Sequence, residues 1–247
     1  MKNIKTTGKS LLKQIRLIEI ELTSQCNRQC SFCPNSYIDR HSKNKVLDEK
    51  VFKKLIKELD EHNYSGFISF SRYNEPFMHR DILEERIRYI RQHLDNVTLV
   101  TNTNGDFSTA MIDIDQITIM DYDNNKKEIN TPTFRIMKLG KINNRGGALD
   151  IKKEIRTEPC FEPTFFVGID YTGDVMPCCN LRNDVELHKP YILGNVKKNT
   201  LEEILNTEKA VRFRKLAASG NPLYLPEPCK FCEKKEGRYT KEVGGIE

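Results

Sequence analysis

Three cysteines, Cys26, Cys30 and Cys33, fall within the stretch CNRQCSFC, directly after LIEIEL at 17–22, in which apolar and acidic residues alternate. Alternation at period two marks a strand with one buried face, so the thiols are expected on the loop that leaves that strand. Three thiolates on one loop can hold three corners of an iron–sulfur cubane. No fourth cysteine lies near them, which leaves one iron open to an exchangeable ligand. The alternative is a structural zinc site that combines Cys30 and Cys33 with a distant CxxC such as Cys229/Cys232. That arrangement leaves Cys26 without a role.

The other five of the eight cysteines, Cys160, Cys178, Cys179, Cys229 and Cys232, all follow residue 159. The chain starts MKNIKTTGKSLLKQIRLIEIEL, which is basic but has neither an uninterrupted apolar stretch nor a small-residue cleavage site, so no signal peptide is read. No apolar run approaches the roughly 18–20 residues of a membrane span. A cytoplasmic, reducing location is therefore expected, where clustered cysteines bind metal or do chemistry rather than form disulfides. The net charge of +5 is spread along the chain, with acids interleaved in KNKVLDEKVFKKLIKELDEH. Such interleaving reads as a solvated helix face, and no basic stripe with aromatics points to nucleic acid.

Along the chain, Val51, Leu55, Ile56 and Leu59 recur at helical spacing behind Asp48, a suitable N-cap, and predict a helix over 48–61. FISFS at 67–71 is a strand, 82–94 a helix, 96–105 a strand, and ITIM at 117–120 and FRIMKL at 134–139 are further strands. This order predicts an α/β fold with a parallel sheet, open or curled into a partial barrel. In such sheets chemistry collects beyond the carboxyl ends of the strands. Cys26 to Cys33, Glu75 and Asn104 all fall there. After residue 150 the texture changes: FFVGIDYTGDVMPCC reads as a β-hairpin turning at Thr172-Gly173-Asp174, and 201–219 as one helix before the Pro-rich NPLYLPEPCKFC. Two domains are expected, 1–150 and 151–247.

The C-x3-C-x2-C pattern with Phe32 before its last cysteine, placed after the first strand of an α/β chain, resembles the signature of the radical S-adenosylmethionine (SAM) superfamily. The resemblance implies a [4Fe–4S] cluster on Cys26, Cys30 and Cys33 whose open iron chelates the amino and carboxylate groups of SAM. An electron from that cluster then cleaves SAM to a 5′-deoxyadenosyl radical. In the family the second strand ends in a Gly-Gly-Glu-Pro-like turn that binds the SAM amino group. Here the turn is Tyr73-Asn74-Glu75-Pro76, with both glycines replaced. By resemblance Asn74 and Glu75 take that role, Asn104 of TNTNGDF contacts the ribose, and Phe32 sits against the adenine. Read without the family, Asn104-Gly105 is an ordinary turn and Phe32 a core aromatic.

Cys160, Cys178, Cys229 and Cys232 resemble the ligands of the twitch domain, the shortened form of the SPASM domain. In that arrangement one cysteine precedes a hairpin, one follows it, and a CxxC comes after a helix. Four ligands would saturate a second [4Fe–4S] cluster. Cys179 is left over, as a packed thiol, as a ligand in place of Cys178, or as a hydrogen-atom donor. The stretches SQCNRQCSFCPNS, TNGDF, NRGGALD, LGNV and CKFC are similar, in order, to the radical SAM alcohol dehydrogenases that act on aminocyclitols. That likeness implies a small-molecule substrate oxidised at a carbinol carbon, with Arg145 at the substrate hydroxyl and the second cluster as electron acceptor. Arg145, Tyr73 or a bound water would take the proton, and a flavodoxin- or ferredoxin-type protein would supply the initial electron. The rival readings are a radical SAM maturase that epimerises or cross-links a ribosomally made peptide, and a non-enzymatic iron–sulfur electron-transfer or zinc-binding protein.

Overall fold

A computed structural model of the chain describes residues 10–126, 130–151 and 154–232. Residues 1–9 of the N-terminal stretch read for a signal peptide, and the tail of the expected second domain, lie outside those residues. Eight strands form one open sheet in the order β5-β4-β3-β2-β1-β6-β7-β8. They are β1 (Leu17–Ile20), β2 (Phe67–Ser69), β3 (Thr98–Thr103), β4 (Gln116–Asp121), β5 (Phe134–Lys138), β6 (Phe166–Ile169), β7 (Asp174–Met176) and β8 (Gly194–Asn195). β1 to β6 pair in parallel, while β7 runs antiparallel to its two neighbours, β6 and β8. The sheet is not closed into a barrel. It continues unbroken past residue 150, because β6 lies against β1, with Leu17 opposite Phe166 and Ile20 opposite Ile169.

Successive strand residues point to opposite faces, and the sequence uses the two faces differently. Ile18, Ile20, Ile68, Leu99, Ile117 and Val167 join the main core, together with Phe52, Leu55, Ile56 and Leu59 of α1 (Glu49–Glu61) and Leu83, Ile87 and Ile90 of α2 (Arg80–His93). Asp48 caps α1 by accepting from the Lys50 and Val51 amides, as its position predicts. The alternate residues, Leu17, Phe67, Val100 and Phe166, form a smaller cluster on the inner face. Continuing up that face, the alternation delivers Glu19, Ser71, Asn102 and Met120, all of which line the cavity described below. The acidic half of LIEIEL therefore faces inward rather than toward solvent.

Two local expectations shift. The hairpin turns one step earlier than expected, at Asp170–Gly173. Asp170 Oδ1 accepts from Thr172 N at 2.8 Å, Thr172 Oγ1 at 2.6 Å and Asp174 N at 3.1 Å, which releases Asp174 into β7. The helix read over 201–219 is two helices. After a short turn of helix, α3 (Glu162–Phe165), come α4 (Leu201–Leu205) and α5 (Glu208–Ser219), followed by α6 (Glu227–Lys230). Thr207 takes an extended conformation and its hydroxyl accepts from the Ala210 amide, so it caps α5 instead of continuing α4. α4 is anchored to the first half of the chain, where the Glu58 carboxylate of α1 accepts from the Leu201 and Glu202 amides at 2.9 and 2.8 Å. No helix among the described residues is long and apolar enough to cross a membrane.

Candidate active site

A cavity of about 290 Å³ opens at the carboxyl ends of β1 to β4, with Cys26, Cys30, Phe32, Cys33, Tyr73, Asn74, Glu75, Asn104 and Arg145 all in its wall. Residues separated by more than a hundred positions in sequence thus meet in one place. Burial pushes the Cys26 thiol up to about 11, with a further push from the nearby Glu75 carboxylate and the other two thiols. Cys30 is raised by burial and by Cys33. Three half-buried thiols that interact with one another are poorly served as free side chains. The set suits thiolate ligation of a cubane with one corner facing the cavity. Among the described residues no group of three or more His, Cys, Asp or Glu side chains is arranged around a single metal ion.

Glu75 ties the turn after β2 to the end of β3. Its Oε1 accepts from Thr103 Oγ1 at 2.7 Å and Phe77 N at 3.2 Å, and its Oε2 from Asn104 N at 2.8 Å. Its own amide donates to the Gln25 carbonyl, one residue before Cys26. Burial raises its pKa, and the three donors work against that. The Asn104 side chain is held at both ends: Nδ2 donates to Asn27 Oδ1 at 2.8 Å, and Oδ1 accepts from Asp106 N at 2.9 Å. Asn74 Oδ1 accepts from the Arg72 amide at 3.0 Å, a contact that shapes the turn without glycine. The Phe32 ring lies against Tyr122, with centroids 5.0 Å apart.

Arg145 enters the cavity from a strained turn. It has φ 49°, and Gly146 and Gly147 follow at φ 65° and 89°. A side chain in the left-handed region costs of order 1 kcal/mol or more and persists only where surroundings impose it. The imposing contact comes from the second half of the chain. His188, fully buried, accepts at Nδ1 from the Arg182 amide at 3.1 Å and donates from Nε2 to the Gly146 carbonyl at 3.0 Å. A β-carbon on Gly146 would stand 2.9 Å from Leu181 Cδ2 and 3.1 Å from His188 Nε2, so any other residue there would be both crowded and strained at this positive φ. Arg145 Nε is buried with no partner in the fold. The Tyr73 hydroxyl donates to the Cys179 carbonyl at 3.0 Å, and burial drives its pKa up, partly offset by Arg145 and Arg182.

The consecutive cysteines part company. Cys178 packs with Cys160 and Cys229 around Met176, Leu181, Phe213 and Ala217, whereas Cys179 lines the cavity. Cys232 is close to Cys160 and Cys229 electrostatically, and burial pushes Cys229 up to about 12. Four thiols thereby gather in a second group, a donor set that matches a fully ligated cubane.

Several cavity residues escaped the sequence reading: Glu19, Arg72, Asn102, Met120 and Tyr122. Arg72 donates from Nη1 to Glu19 Oε2 at 3.3 Å and from Nη2 to the Leu181 carbonyl at 2.8 Å. It lies flat across Gly168 of β6, where a β-carbon would sit 1.6 Å from Nη1. The available signal was the strand alternation, which already put Glu19 and Asn102 on one face.

Residues 20–117 match the family model of the radical SAM superfamily, and residues 160–233 match that of an iron–sulfur cluster-binding domain, SPASM. The chain is 24% identical over 241 residues to the S-adenosyl-L-methionine-dependent 2-deoxy-scyllo-inosamine dehydrogenase of Niallia circulans, covering 89% of this chain and 93% of that protein. The crystal structure of BtrN in complex with AdoMet and 2-DOIA superposes with a TM-score of 0.75 at 23% identity, over 89% of this chain and 93% of that one. Streptococcus suis SuiB bound to its precursor peptide SuiA superposes with a TM-score of 0.56 at 11% identity, over 93% of this chain and 76% of that one.

Proposed function

The chain belongs to the radical SAM superfamily and carries a SPASM-type iron–sulfur domain, and on that premise we propose that it is an oxidoreductase that dehydrogenates a carbinol of a small aminocyclitol or related sugar-like substrate. The observation that carries this reading is the shared cavity wall: Arg145, from the junction of the two halves, and the three thiols of the first loop line one space. Its support beyond the cavity is the dehydrogenase relative, which matches along nearly its whole length.

When bound, a cluster on the first group would supply the electron for reductive cleavage of SAM, and one on the second would accept the electron released in oxidising the substrate. The balance is simple. One hydrogen atom leaves with the nucleoside, one proton goes to the cavity wall or water, and one electron goes to the second group, leaving a ketone. Cys26, Cys30 and Cys33 would hold the first cluster, and Cys160, Cys178, Cys229 and Cys232 the second. Asn74, Glu75, Asn104 and Phe32 shape the SAM pocket. Glu75 acts there by fixing the loop amides, with whatever acceptor capacity its three bonds leave. Arg145 presents donors to the reacting hydroxyl from a water-poor site, where its unpaired Nε gains a partner. Glu19, facing Arg72, offers a carboxylate to an ammonium or hydroxyl elsewhere on the ring. Tyr73, with its proton committed to the Cys179 carbonyl, is a wall residue rather than the base. A flavodoxin- or ferredoxin-type reductant and a cytoplasmic location belong to the same reading, since exposed clusters and free thiols need reducing surroundings.

Anaerobically reconstituted protein given dithionite, SAM and a panel of aminocyclitols is expected to release 5′-deoxyadenosine and a ketone in equal amounts. Glu19→Gln should raise KM for an amino-bearing substrate more than for its polyol counterpart. Product formed only from a peptide would overturn the reading in favour of a maturase. A Cys26→Ala/Cys30→Ala/Cys33→Ala protein should keep about half of roughly eight irons and lose SAM cleavage, whereas stoichiometric zinc would refute both clusters.

A further inference from the structure

We propose that Asn180 raises the reduction potential of the auxiliary cluster by donating hydrogen bonds to two of its sulfur ligands, and so makes that cluster an electron acceptor. The proposal rests on the reading that Cys160, Cys178, Cys229 and Cys232 hold a second cluster. Asn180 follows the hairpin thiols and is 1% exposed. Its backbone amide donates to Cys178 Sγ at 3.5 Å, and its side-chain Nδ2 donates to Cys232 Sγ at 3.4 Å. Asn180 thus links the hairpin thiol to the CxxC, its backbone reaching one and its side chain the other.

The other end of the amide makes the orientation informative. Asn180 Oδ1 is buried without a hydrogen-bond partner. A buried amide is normally oriented by its oxygen as well as its nitrogen, so here the sulfur contact alone holds it. A neutral thiol is a weak acceptor, whereas a thiolate is a strong one, because hydrogen bonds to an ionised partner are shorter and stronger. The arrangement therefore makes physical sense when the sulfurs carry the charge they have as iron ligands.

Reduction adds negative charge to a cluster, and donors aimed at its sulfurs stabilise the added charge and raise the potential. At the first group Cys26 Sγ accepts a backbone N–H from Arg28 at 3.5 Å, with the Glu75 carboxylate acting on Cys26 and the Arg28 charge on Cys30 in opposite directions. The second group has two donors from Asn180. It also has the positive charge of Arg156, which acts on Cys160 and donates from Nη1 to the Cys232 carbonyl at 2.9 Å. Each group has an arginine and a carboxylate near its thiols, Arg28 and Glu75 at the first and Arg156 and Glu162 at the second, so it is the Asn180 donors that raise the potential of the second.

The test is a redox titration of the full-length holoprotein, followed by electron paramagnetic resonance, with iron content measured alongside. In Asn180→Ala the midpoint potential of the auxiliary cluster should move to more negative values while that of the SAM-cleaving cluster stays in place. The ratio of 5′-deoxyadenosine to ketone should rise above one. Asn180→Ser, which keeps a shorter donor, should move the same way by less, and it guards against loss of the cluster in the alanine form. An unchanged or more positive auxiliary potential in an iron-replete variant overturns the proposal, as does loss of that cluster from both variants, which would show a structural role. A wild-type protein holding only about four irons would instead overturn the two-cluster reading beneath it.

Discussion

Arg182 donates from Nη1 to Asn35 Oδ1 at 2.8 Å, which joins the segment just after Cys33 to the segment just after Cys178. Asn35 in turn donates to the Tyr73 carbonyl at 2.8 Å, and the Arg182 guanidinium lies 4.3 Å from the centre of the Tyr73 ring. The same guanidinium grips Asp184 with both forks, at 2.6 and 2.7 Å, and Asp184 also pairs with Arg40. Arg40 closes the circuit by pairing with Glu21 at 3.3 Å and by offering its carbonyl to the Cys26 amide. The segments that carry the two cysteine groups are thus tied to one another by buried charge.

Removing one member of a buried ionic network costs about 3–5 kcal/mol, because the partner stays buried and unpaired. Arg182→Ala should therefore lower the thermal midpoint by roughly 5–15 °C and loosen both cysteine groups together. Parallel loss of iron from both sites on mild heating would show this, and loss from the second site alone would count against it. Arg182→Lys keeps the charge but not the planar fork, so it should recover only part of the stability.

Parts of this arrangement were legible in the sequence and parts were not, for physical reasons. α1 was predicted with its cap because Asp48 and the Val51, Leu55, Ile56, Leu59 spacing are local signals. The parallel strands and the loop positions of Cys26, Glu75 and Asn104 followed from apolar runs and their order. The break at Thr207 was missed because a capping threonine and a helical threonine read alike until the next turn is known. The Cys178/Cys179 pair was left open, since two consecutive residues after a strand face opposite ways and only β6 against β1 decides which way is inward. Arg182, Arg72 and His188 carried no motif at all. Their roles depend on partners far away in the chain, and on Gly146 and Gly168, whose missing β-carbons matter only once those partners arrive.

Glu75 supplies a second prediction. Glu75→Ala would leave the Thr103 hydroxyl and the Asn104 and Phe77 amides without their acceptor, at about 1–3 kcal/mol for each buried donor left unpaired. Glu75→Gln keeps one accepting oxygen but turns an amine toward the remaining donors. SAM affinity should fall in both, by roughly tenfold or more in the alanine form, read by equilibrium binding to the anaerobic holoprotein. Unaltered binding in Glu75→Ala would show that this carboxylate does not shape the SAM pocket.

The stability of the hairpin turn should depend on pH through Asp170. Burial raises its pKa from 3.8 to about 7, opposed by the Thr172 hydroxyl and reinforced by the nearby Glu21 and Asp174 carboxylates. Its Oδ2 is buried without a partner. Between those two values the folded chain binds more protons here than the unfolded chain does. Stability is therefore fullest in acid and is lost as pH rises through that window, by at most ~4 kcal/mol. Asp170→Asn keeps an accepting oxygen for Thr172 and Asp174 and cannot ionise. The difference in urea midpoint between variant and wild type should grow in the variant's favour from pH 4.5 to about 7. Parallel pH profiles would show that Asp170 does not titrate in this window.

Arg145 offers the sharpest separation of stability from function. Its φ of 49° is a conformation that glycine adopts freely, and its guanidinium carries a buried, unpaired Nε. Arg145→Gly relieves backbone strain worth about 1 kcal/mol or more, offset in part by the larger entropy of the unfolded chain. The variant should therefore be as stable as the wild type or slightly more so. Ketone formation should nevertheless fall by roughly ten- to a hundredfold, the loss expected when one charge-assisted hydrogen bond to the reacting group disappears. SAM cleavage should persist, so 5′-deoxyadenosine would accumulate without matching product. Arg145→Lys should restore charge without the fork and recover only part of the coupling. A destabilised Arg145→Gly protein with coupling intact would mean that the arginine braces the junction and does not meet the substrate. A stable protein that cleaves SAM but makes little ketone would mean that the strained turn exists to hold that guanidinium in the cavity.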